Sequence, residues 1–385
     1  MNATAKKGQS TQGSWLAGWG AVTTLGATAD DVFAALLRGD IGLRVFEPPF
    51  DQAFRGPHGY VFPGSPTRGP RAASLLVQAV SEALLDAGLT EMQNLDSIPV
   101  VIGTGLGEAR TLEIAHLEDG PKPNLDLAAK LRKRWGFDRV SVFSNACAAS
   151  LYAAALACDL LEQESLEHVI VAGVDVLSLS MFGSLDRVQV EPPDRVRPFD
   201  AGRRGVLMGE GAAAVVLSKL PHEKPLRLAR VELGCDAYHV TAPDPARIEH
   251  VMREAHARVG VGADSIDLVV AHGTGTPLND EAEAVALTRV WERASKPLVT
   301  GVKGSTGHTS GASGLHSLIV AGQCLLSGEV PPVVGLDVPD PMASALRLNR
   351  SRTRLEDARL AQVDAFGFGG LNAVALLRKV PVMRP

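Results

Sequence analysis

Short apolar runs recur along the chain, and most of them are followed by a turn of small and polar residues. Uninterrupted runs of this kind are typical of strands that are buried on both faces of a sheet. They predict strands over residues 15–22, 98–102, 140–143, 168–176, 212–217, 225–234, 267–271, 297–302 and 372–378.

Other stretches carry apolar residues at the three- and four-residue spacing of a helix. They predict helices over 28–38, 71–87 and 247–259, and a turn or short helix over 179–185. Two further helices, one beginning near Cys147 and one over 309–326, are rich in small apolar residues and have few polar side chains. Such helices are buried on all sides. Residues 47–70, rich in Pro, Gly and aromatics, predict a long ordered loop.

The order of these elements repeats. In each half, buried strands lead into a turn with reactive side chains and then into a small-residue helix. This predicts an α/β protein built from a duplicated unit, with two central helices packed between sheets. We expect a flexible tail at 1–12, an N-terminal half at 13–220 and a C-terminal half at 221–385.

Composition narrows the class of protein. The chain has 385 residues, 45% hydrophobic and 21% charged, which is typical of a soluble globular protein with a large core. A net charge of -5 gives no reason to expect nucleic-acid binding. The N-terminus lacks an apolar signal core, and no segment is apolar enough to span a membrane. We therefore expect a cytoplasmic protein.

Cysteine usage gives no sign of a metal site or a disulfide framework. None of the four cysteines lies in a CxxC pair. Cys147 stands where a strand ends and a helix begins, so helix amides and the helix dipole should favour its thiolate, the nucleophilic form. The alternative is a buried structural cysteine, and this stretch alone favours that alternative.

Three glycine-rich turns contain the other residues that could take part in catalysis. His272 and Lys303 each follow a predicted buried strand, His308 precedes the second small-residue helix, and a third turn spans 364–370. Each could be a simple cap or tight turn. Together they place one cysteine and two histidines at strand ends, where ligands bind in α/β sheets. A nucleophilic cysteine with two neutral histidines suits acyl transfer.

The turn after the 98–102 strand, residues 103–107, is also rich in glycine. It lacks the spacing of a dinucleotide fingerprint or a phosphate loop. We therefore expect no nucleotide cofactor, and no other cofactor is indicated.

Five segments in this order resemble the β-ketoacyl synthases of the thiolase-like superfamily. The resemblance runs from about residue 14 to the C-terminus, and the segments keep nearly the family's spacing. They are Asn145-Ala-Cys-Ala-Ala-Ser150, Arg197-Pro-Phe-Asp200 with Gly209-Glu-Gly211, His272-Gly-Thr-Gly-Thr-Pro277, Lys303 with Gly307-His308, and Phe366-Gly-Phe-Gly-Gly370.

The resemblance implies a five-layer α-β-α-β-α fold and a decarboxylative Claisen condensation. Cys147 would accept an acyl group from an acyl carrier protein. His272 and His308 would bind the thioester carbonyl of a malonyl-acyl carrier protein, and Lys303 would support them electrostatically. The backbone amides of Cys147 and Phe368 would form the oxyanion hole, and Phe368 would gate the acyl chamber.

The chain departs from the family at several points. Position 317, where the family usually has a glutamate paired with the lysine, is serine, and the usual threonine at 371 is leucine. The segment between Gly103 and Cys147 is shorter than in the chain-elongating members. These changes indicate a specialised fatty-acid or polyketide-type synthase. Leu106, Met181 and Phe182 are candidates for its acyl pocket, with ordinary core packing as an equal alternative.

Two other functions remain open: a chain-length-setting partner subunit of a heterodimeric ketosynthase, and an acyltransferase that does not decarboxylate an extender. The family also implies a dimer, either a homodimer or a heterodimer with a related subunit. Arg68, Arg71 and the basic residues within 130–134 are candidates for carrier-protein docking, although a solvated face is the simpler explanation for any one of them.

Overall fold

The computed structural model describes residues 13–46, 48, 54–65, 69, 71–90, 94–118 and 122–381. The strands of the first half are β1 (Ser14–Thr23), β2 (Arg44–Val45), β3 (His58–Gly59), β4 (Val100–Gly103), β5 (Val140–Phe143), β6 (His168–Asp175) and β7 (Gly211–Ser218). Its helices are α1 (Ala29–Arg38), α2 (Ala72–Asp86), α3 (Ala109–Leu117), α4 (Ala129–Trp135), α5 (Ala149–Gln163) and α6 (Leu179–Val188).

The second half continues the alternation of strands and helices. Its strands are β8 (Leu226–Cys235), β9 (Leu268–Val270), β10 (Leu298–Thr300), β11 (Glu329–Val330), β12 (Arg347–Leu348), β13 (Thr353–Arg354), β14 (Leu360–Gly367) and β15 (Leu371–Lys379). Its helices are α7 (Pro245–Val259), α8 (Pro277–Val290), α9 (Lys303–Thr306) and α10 (Ser313–Ser327).

The strand order confirms the duplicated fold. Across the described ranges, eleven strands hydrogen-bond in the order β12-β10-β9-β14-β15-β8-β1-β7-β6-β4-β5. The first half contributes β5-β4-β6-β7-β1 and the second contributes β10-β9-β14-β15-β8, with the same parallel and antiparallel pairings in the same places. The halves share this topology although they do not share residue identity. A short pairing of β1 with β8, at Ser14 and Trp15, joins the two sheets.

Apolar clusters fill the spaces between the layers. One cluster packs α2 on the outer face of the first sheet, and another packs α7 and α8 on the outer face of the second. A third cluster surrounds α5 and α10, which lie between the sheets. The result is the expected five-layer arrangement of helices, sheet, helices, sheet and helices.

Small residues set the distance between the layers. A Cβ atom on Gly103 of β4 would lie 2.5 Å from the carbonyl carbon of Ala149, the first residue of α5. A Cβ atom on Gly173 of β6 would lie 2.8 Å from the Cα of Ala312. Only glycine fits at either place, which explains why the buried strands and central helices are rich in small residues.

The predicted boundaries of α1 are confirmed. The Thr28 hydroxyl accepts a hydrogen bond from the backbone N–H of Asp31, and Gly39 ends the helix with φ 76°. Both features are expected, because they provide hydrogen-bond partners for backbone groups at the helix ends that have none within the helix.

The prediction of full burial is wrong for β5 and for part of α5. β5 is the last strand of the sheet, bonded only to β4 within the described residues, and 50% of Val142 is exposed. Tyr152 and Asp159 of α5 also keep exposed surface, whereas α10 is buried from Ser313 to Leu325. An apolar sequence indicates a tendency towards burial, but no element of the described residues covers the outer edge of β5.

Two elements near the histidine turns had no clear sequence signal. α8 alternates acidic residues with alanines and lacks an apolar stripe, yet Asp280 and Glu283 are buried within it. β14 is not predicted by the sequence pattern either, and the predicted turn over 364–370 is wrong in its first half, because the strand continues to Gly367. The boundary near residue 220 between the halves stays a prediction, and residues 1–12 lie outside the described residues.

Among the described helices, none is both long enough and apolar enough to cross a lipid bilayer. The predicted cytoplasmic location goes beyond this finding and stays a prediction.

A buried ion pair fastens α3 to the start of β7. Arg110 Nη1 lies 2.7 Å from Glu210 Oε1, and both side chains are almost fully buried. Glu210 also accepts hydrogen bonds from the backbone of Phe62 and Leu177 and from the Ser65 hydroxyl. The carboxylate therefore fixes neighbouring loop segments as well as the arginine.

We expect Glu210→Ala to lower the free energy of unfolding by about 3–5 kcal/mol, because it breaks a buried ion pair and removes the acceptor of three neighbouring hydrogen bonds. Urea denaturation followed by circular dichroism would measure the change. Asp40→Ala, which removes the exposed ion pair with Arg38, is the matched control and should cost no more than about 1 kcal/mol. Equal losses in the two variants would contradict a structural role for the buried pair.

Candidate active site

Cys147 lies in a strained turn between β5 and α5. The turn is a single 3-10 turn, Ala146–Ala148, and Ala146 has φ 47°, a region that residues with a Cβ seldom adopt. A Cβ atom on Gly367 would stand 3.3 Å from the backbone nitrogen of Cys147, so the turn packs directly against the glycine-rich end of β14. This packing supports the strained conformation.

The second half repeats the turn at the start of α10. Ser310 has φ 46° and begins a 3-10 turn, Ser310–Ala312. The buried carboxylate of Asp175 connects the halves here, because it accepts hydrogen bonds from the backbone N–H of Gly105 and Gly311, at 2.7 and 2.6 Å. It also accepts one from the Thr104 hydroxyl.

The structure brings Cys147, His272 and His308 together. One side-chain atom of each, the sulfur or a ring nitrogen, lies within 4.8 Å of the others. The two imidazole rings meet edge to face with centroids 5.4 Å apart. Three separate turns, from both halves of the chain, therefore converge on one point.

Hydrogen bonds fix the orientation of His272. The Glu283 carboxylate accepts from the backbone N–H of His272 at 2.7 Å and of Gly273 at 2.8 Å. Lys303 Nζ lies 3.3 Å from His272 Nδ1 and also donates to the carbonyl oxygen of His272. Because an ammonium only donates, Nδ1 is the acceptor and Nε2 carries the proton.

His308 is held by its backbone and leaves its ring available. Its N–H donates to the Leu207 carbonyl, and its own carbonyl accepts from the N–H of Gly209. Neither ring nitrogen has a hydrogen-bond partner among the described residues, although the side chain is only 4% exposed. Buried polar groups normally have partners, so this ring is suited to bind a group brought by a substrate.

Lys303 is the buried cation of the site. Burial lowers its pKa to about 8, against the opposing effect of nearby acids, of which Glu283 is the strongest. Burial and the charge of Lys303 together hold the pKa of His272 and of His308 well below the usual histidine value. Both imidazoles are therefore neutral at pH 7.

The thiol of Cys147 differs from the sequence expectation. Enclosure of the sulfur by protein raises its pKa to about 11, although Lys303 and the backbone N–H of Phe368 favour the thiolate. The position at the start of α5 therefore does not by itself produce a thiolate at neutral pH. Another group therefore has to accept the thiol proton when the sulfur reacts, and a ring nitrogen of each of His272 and His308 lies within 4.8 Å of the sulfur.

The spacing of this cysteine and these histidines could also suit a metal ion. The ammonium of Lys303, 3.3 Å from a ring nitrogen of His272, opposes a second cation at this point. The donor set is therefore better suited to acyl chemistry than to metal binding.

A cavity opens from Cys147. Its lining includes apolar side chains such as Met181 and hydroxyl-bearing side chains such as Thr274 and Thr276. Phe368, with 52% of its surface exposed, stands at the cavity beside Cys147. The remaining lining residues include Leu185, Val206, Met208, His239, Val240, Thr241, Ala242, Pro243, Asn279 and Phe366.

The other predicted pocket and docking residues lie elsewhere. Phe182 is buried in an aromatic cluster, stacked on Phe46 at 4.3 Å, and Leu106 is outside the cavity lining, with its N–H bonded to Asp175. Arg71 lies just before α2, and Arg68 falls outside the described residues.

Sequence reasoning missed part of the site. The segment from His239 to Pro243 lines the cavity, and Glu283 positions the His272 turn from α8. The available signal was the acidic pair Asp280 and Glu283, which follows the histidine turn directly. Burial alone distinguishes these two carboxylates from ordinary surface acids, and burial is not visible in the sequence.

Two family models match most of the chain. The N-terminal domain of β-ketoacyl synthase matches residues 60–223, and the C-terminal domain of the same family matches residues 227–337. These ranges contain Cys147 and both histidines of the site.

Proteins of similar sequence point to the same family. Nodulation protein E of Rhizobium meliloti is 30% identical over 332 residues, covering 80% of this chain and 82% of the relative. The 3-oxoacyl-[acyl-carrier-protein] synthase 2 of Vibrio cholerae is 27% identical and covers 94% of this chain and 98% of the relative.

Solved structures share the fold. The ishigamide ketosynthase/chain length factor superposes with a TM-score of 0.86 at 27% identity, covering 96% of this chain and 100% of that one. A β-ketoacyl synthase from Burkholderia phymatum gives a TM-score of 0.85 at 24% identity, with the same coverage. The two family models and the sequence relatives, together with the shared fold, show that this chain belongs to the β-ketoacyl synthase family.

Proposed function

We propose that this chain forms a β-ketoacyl thioester by decarboxylative Claisen condensation between an acyl group on Cys147 and a malonyl-acyl carrier protein. The observation that carries the proposal is the convergence of Cys147, His272 and His308 within 4.8 Å in the lining of one cavity. The family membership makes the chain an acyltransferase of the ketosynthase type.

In the first half-reaction, the sulfur of Cys147 attacks the thioester carbonyl of an acyl carrier protein. The thiol proton passes through a neighbouring imidazole to the departing carrier thiol, and the acyl group stays on Cys147. The backbone N–H groups of Cys147 and Phe368 both lie at the sulfur. This supports the proposal that the two amides stabilise the oxyanion of the tetrahedral intermediate.

In the second half-reaction, the malonyl thioester loses CO2, and the electron pair of the broken bond forms an enolate. Nε2–H of His272 and the unpaired ring of His308 donate hydrogen bonds to the enolate oxygen. The enolate carbon then attacks the acyl carbonyl on Cys147 and expels the sulfur as the leaving group. The β-ketoacyl product stays on the carrier protein.

The lining of the cavity supports both half-reactions. Its apolar side chains, including Met181, Leu185, Val206 and Met208, are suited to an acyl chain. The lining also contains the hydroxyls of Thr241, Thr274 and Thr276, which suit the polar arm of a carrier protein. Phe368 lines the cavity and has about half of its surface exposed, which supports its proposed role as a gate.

A chain-length-setting partner subunit is the second candidate. One observation favours it, the likeness to a structure described as a ketosynthase/chain length factor. The intact cysteine and histidines favour catalysis, since a subunit that only sets chain length has no need of a nucleophile. A superfamily acyltransferase without decarboxylation would need the cysteine but not two neutral histidine donors.

Carrier-protein docking and dimer formation follow from the same proposal. Carrier proteins are acidic, so we propose that Arg71 and the basic residues Lys130, Arg132, Lys133 and Arg134 beside α2 contribute to docking. The unpaired edge of β5 and the exposed Val142 are suited to a second ketosynthase-like chain, identical or related. A cytoplasmic location agrees with this partner set.

We expect Cys147→Ala to abolish the acyl adduct that forms when the wild-type protein is incubated with acyl carrier proteins. Intact-protein mass spectrometry measures the adduct, and added malonyl-acyl carrier protein should clear it with release of a product two carbons longer. Cys235→Ala, which removes an exposed cysteine, is the control and should keep the adduct. An adduct on Cys147→Ala would place the nucleophile elsewhere.

We expect His308→Ala to reduce the rate of malonyl-acyl carrier protein decarboxylation by about 100-fold or more, because it removes a donor to the enolate oxygen. The acetyl-carrier product, counted by mass spectrometry, gives the rate. His116→Ala changes an exposed histidine on α3 and should leave the rate unchanged. If both variants kept the wild-type rate, the proposed role of His308 would be lost.

The decarboxylation rate should fall as pH rises through about 8. A lysine is charged below its pKa, and the pKa of Lys303 is about 8, so higher pH removes the ammonium that orients His272. In Lys303→Arg the side chain stays charged to far higher pH, so the fall near pH 8 should disappear from the pH–rate profile. A wild-type profile retained by that variant would mean that another group titrates.

A further inference from the structure

A second cavity lies between α7 and the ends of strands β8 and β15. Its volume is about 220 Å³, compared with about 140 Å³ for the cavity at Cys147. Among the described residues, none lines both cavities, so the second cavity is separate from the catalytic one. Its lining includes Glu232, Gly234, Arg247, His250, Glu254 and Asn372.

A glycine creates the space for this cavity. Gly234 of β8 and Asn372 of β15 are paired across the two strands. A Cβ atom on Gly234 would lie 2.4 Å from Cγ2 of Val251 on α7 and 4.0 Å from Cβ of Asn372. Any side chain at position 234 would therefore occupy the space between α7 and Asn372, and glycine leaves that space open.

The side chain of Asn372 indicates that this cavity binds a ligand. Asn372 is 1% exposed, and neither Nδ2 nor Oδ1 has a hydrogen-bond partner among the described residues. An unpaired buried amide is unfavourable, and buried polar side chains normally have partners. Because this side chain lines the cavity, a molecule bound there can donate to Oδ1 and accept from Nδ2.

Helix α7 contributes a cation to the same cavity. Arg247, His250 and Glu254 follow one another at spacings of three and four residues, which places them on one face of the helix. Within the described part of the chain, the exposed side chain of Arg247 has neither an ion pair nor a hydrogen bond. Its guanidinium is therefore available to bind a carboxylate through two hydrogen bonds.

The acidic side chains of the lining already have cationic neighbours. Glu232 accepts a hydrogen bond from Arg230 Nε at 2.8 Å, and Glu254 Oε2 lies 4.0 Å from Arg258 Nε. The charge without a partner at this cavity is therefore the positive charge of Arg247. An anionic ligand is favoured over a cationic one.

We propose that this cavity is a second ligand-binding site and that its ligand is a small carboxylate that also carries a carboxamide. The carboxylate pairs with Arg247. The carboxamide donates a hydrogen bond to Oδ1 of Asn372 and accepts one from Nδ2. The proposal does not depend on the condensing function, because none of these contacts involves the catalytic cavity.

The second site is a near neighbour of the catalytic one. Asn372 is paired with Phe366 across β15 and β14, and the ring of Phe366 lies 5.7 Å from the ring of His272. Cys235, which also lines the second cavity, has its Sγ 3.6 Å from the carbonyl oxygen of Gly369 in the glycine-rich turn. A ligand at Asn372 is therefore separated from the catalytic histidine by the side chain of Phe366.

Succinamate is a suitable probe because it carries a carboxylate at one end and a carboxamide at the other. We expect it to bind the full-length protein with a Kd of about 1 mM or lower, measured by isothermal titration calorimetry. Succinate lacks the carboxamide and butyramide lacks the carboxylate. Each should bind about tenfold more weakly or worse, because each leaves one polar partner of the site unpaired.

Two variants locate the binding. Arg247→Ala changes an exposed side chain and should weaken succinamate binding about tenfold or more. Asn372→Leu should abolish binding and be at least as stable as wild type in thermal unfolding, because it replaces an unpaired buried amide with an apolar group of similar size. Arg258→Ala, on the same helix but outside the lining, is the control and should bind as wild type does.

The outcomes are decisive in both directions. Binding that is lost in Arg247→Ala and Asn372→Leu but kept in Arg258→Ala would support the site. No succinamate binding below about 10 mM, or binding that Arg247→Ala retains, would overturn it. If Asn372→Leu does not fold, the loss in Arg247→Ala and the preference for succinamate over succinate decide in the same way. The condensing function stands or falls separately, because the measurement is of binding and not of turnover.

Discussion

The contact between the two central helices is the constraint on which the rest of the structure depends. A Cβ atom on Gly314 of α10 would lie 2.7 Å from the side chain of Leu151 on α5, and the Ser150 hydroxyl accepts from the N–H of Leu315. This close contact brings the starts of both helices to the same depth between the sheets. The turns that carry Cys147 and Ser310 are therefore neighbours, and the active site forms where the two halves meet.

Burial controls the chemistry of that site. The enclosure that raises the pKa of Cys147 also lowers that of Lys303 and keeps both histidines neutral. Neutral imidazoles are useful hydrogen-bond donors to an enolate, and a thiol that stays protonated until substrate arrives is protected from side reactions. The helix dipole at Cys147 is one contribution among several, and desolvation outweighs it.

Buried carboxylates organise the turns around the reacting atoms. Asp175 joins the turn after β4 to the start of α10, and Glu283 fixes the turn that carries His272. Each satisfies backbone N–H groups that glycine-rich turns would otherwise leave without partners. The glycines give the turns their shape, and the carboxylates make that shape stable.

The sequence by itself determined the repeated α/β plan, the limits of α1, and Cys147, His272 and His308 as candidate residues, because hydrophobic pattern and turn composition are local features. The role of Lys303 came only from the resemblance to the β-ketoacyl synthases. Only the tertiary structure decided that β5 is an edge, that Phe182 packs into an aromatic cluster, and that Asp280, Glu283 and Asp364 are buried. An acidic residue has the same appearance in a sequence whether water or protein surrounds it. Its pKa and its partners depend on contacts between segments that are distant along the chain, and folding alone brings those segments together.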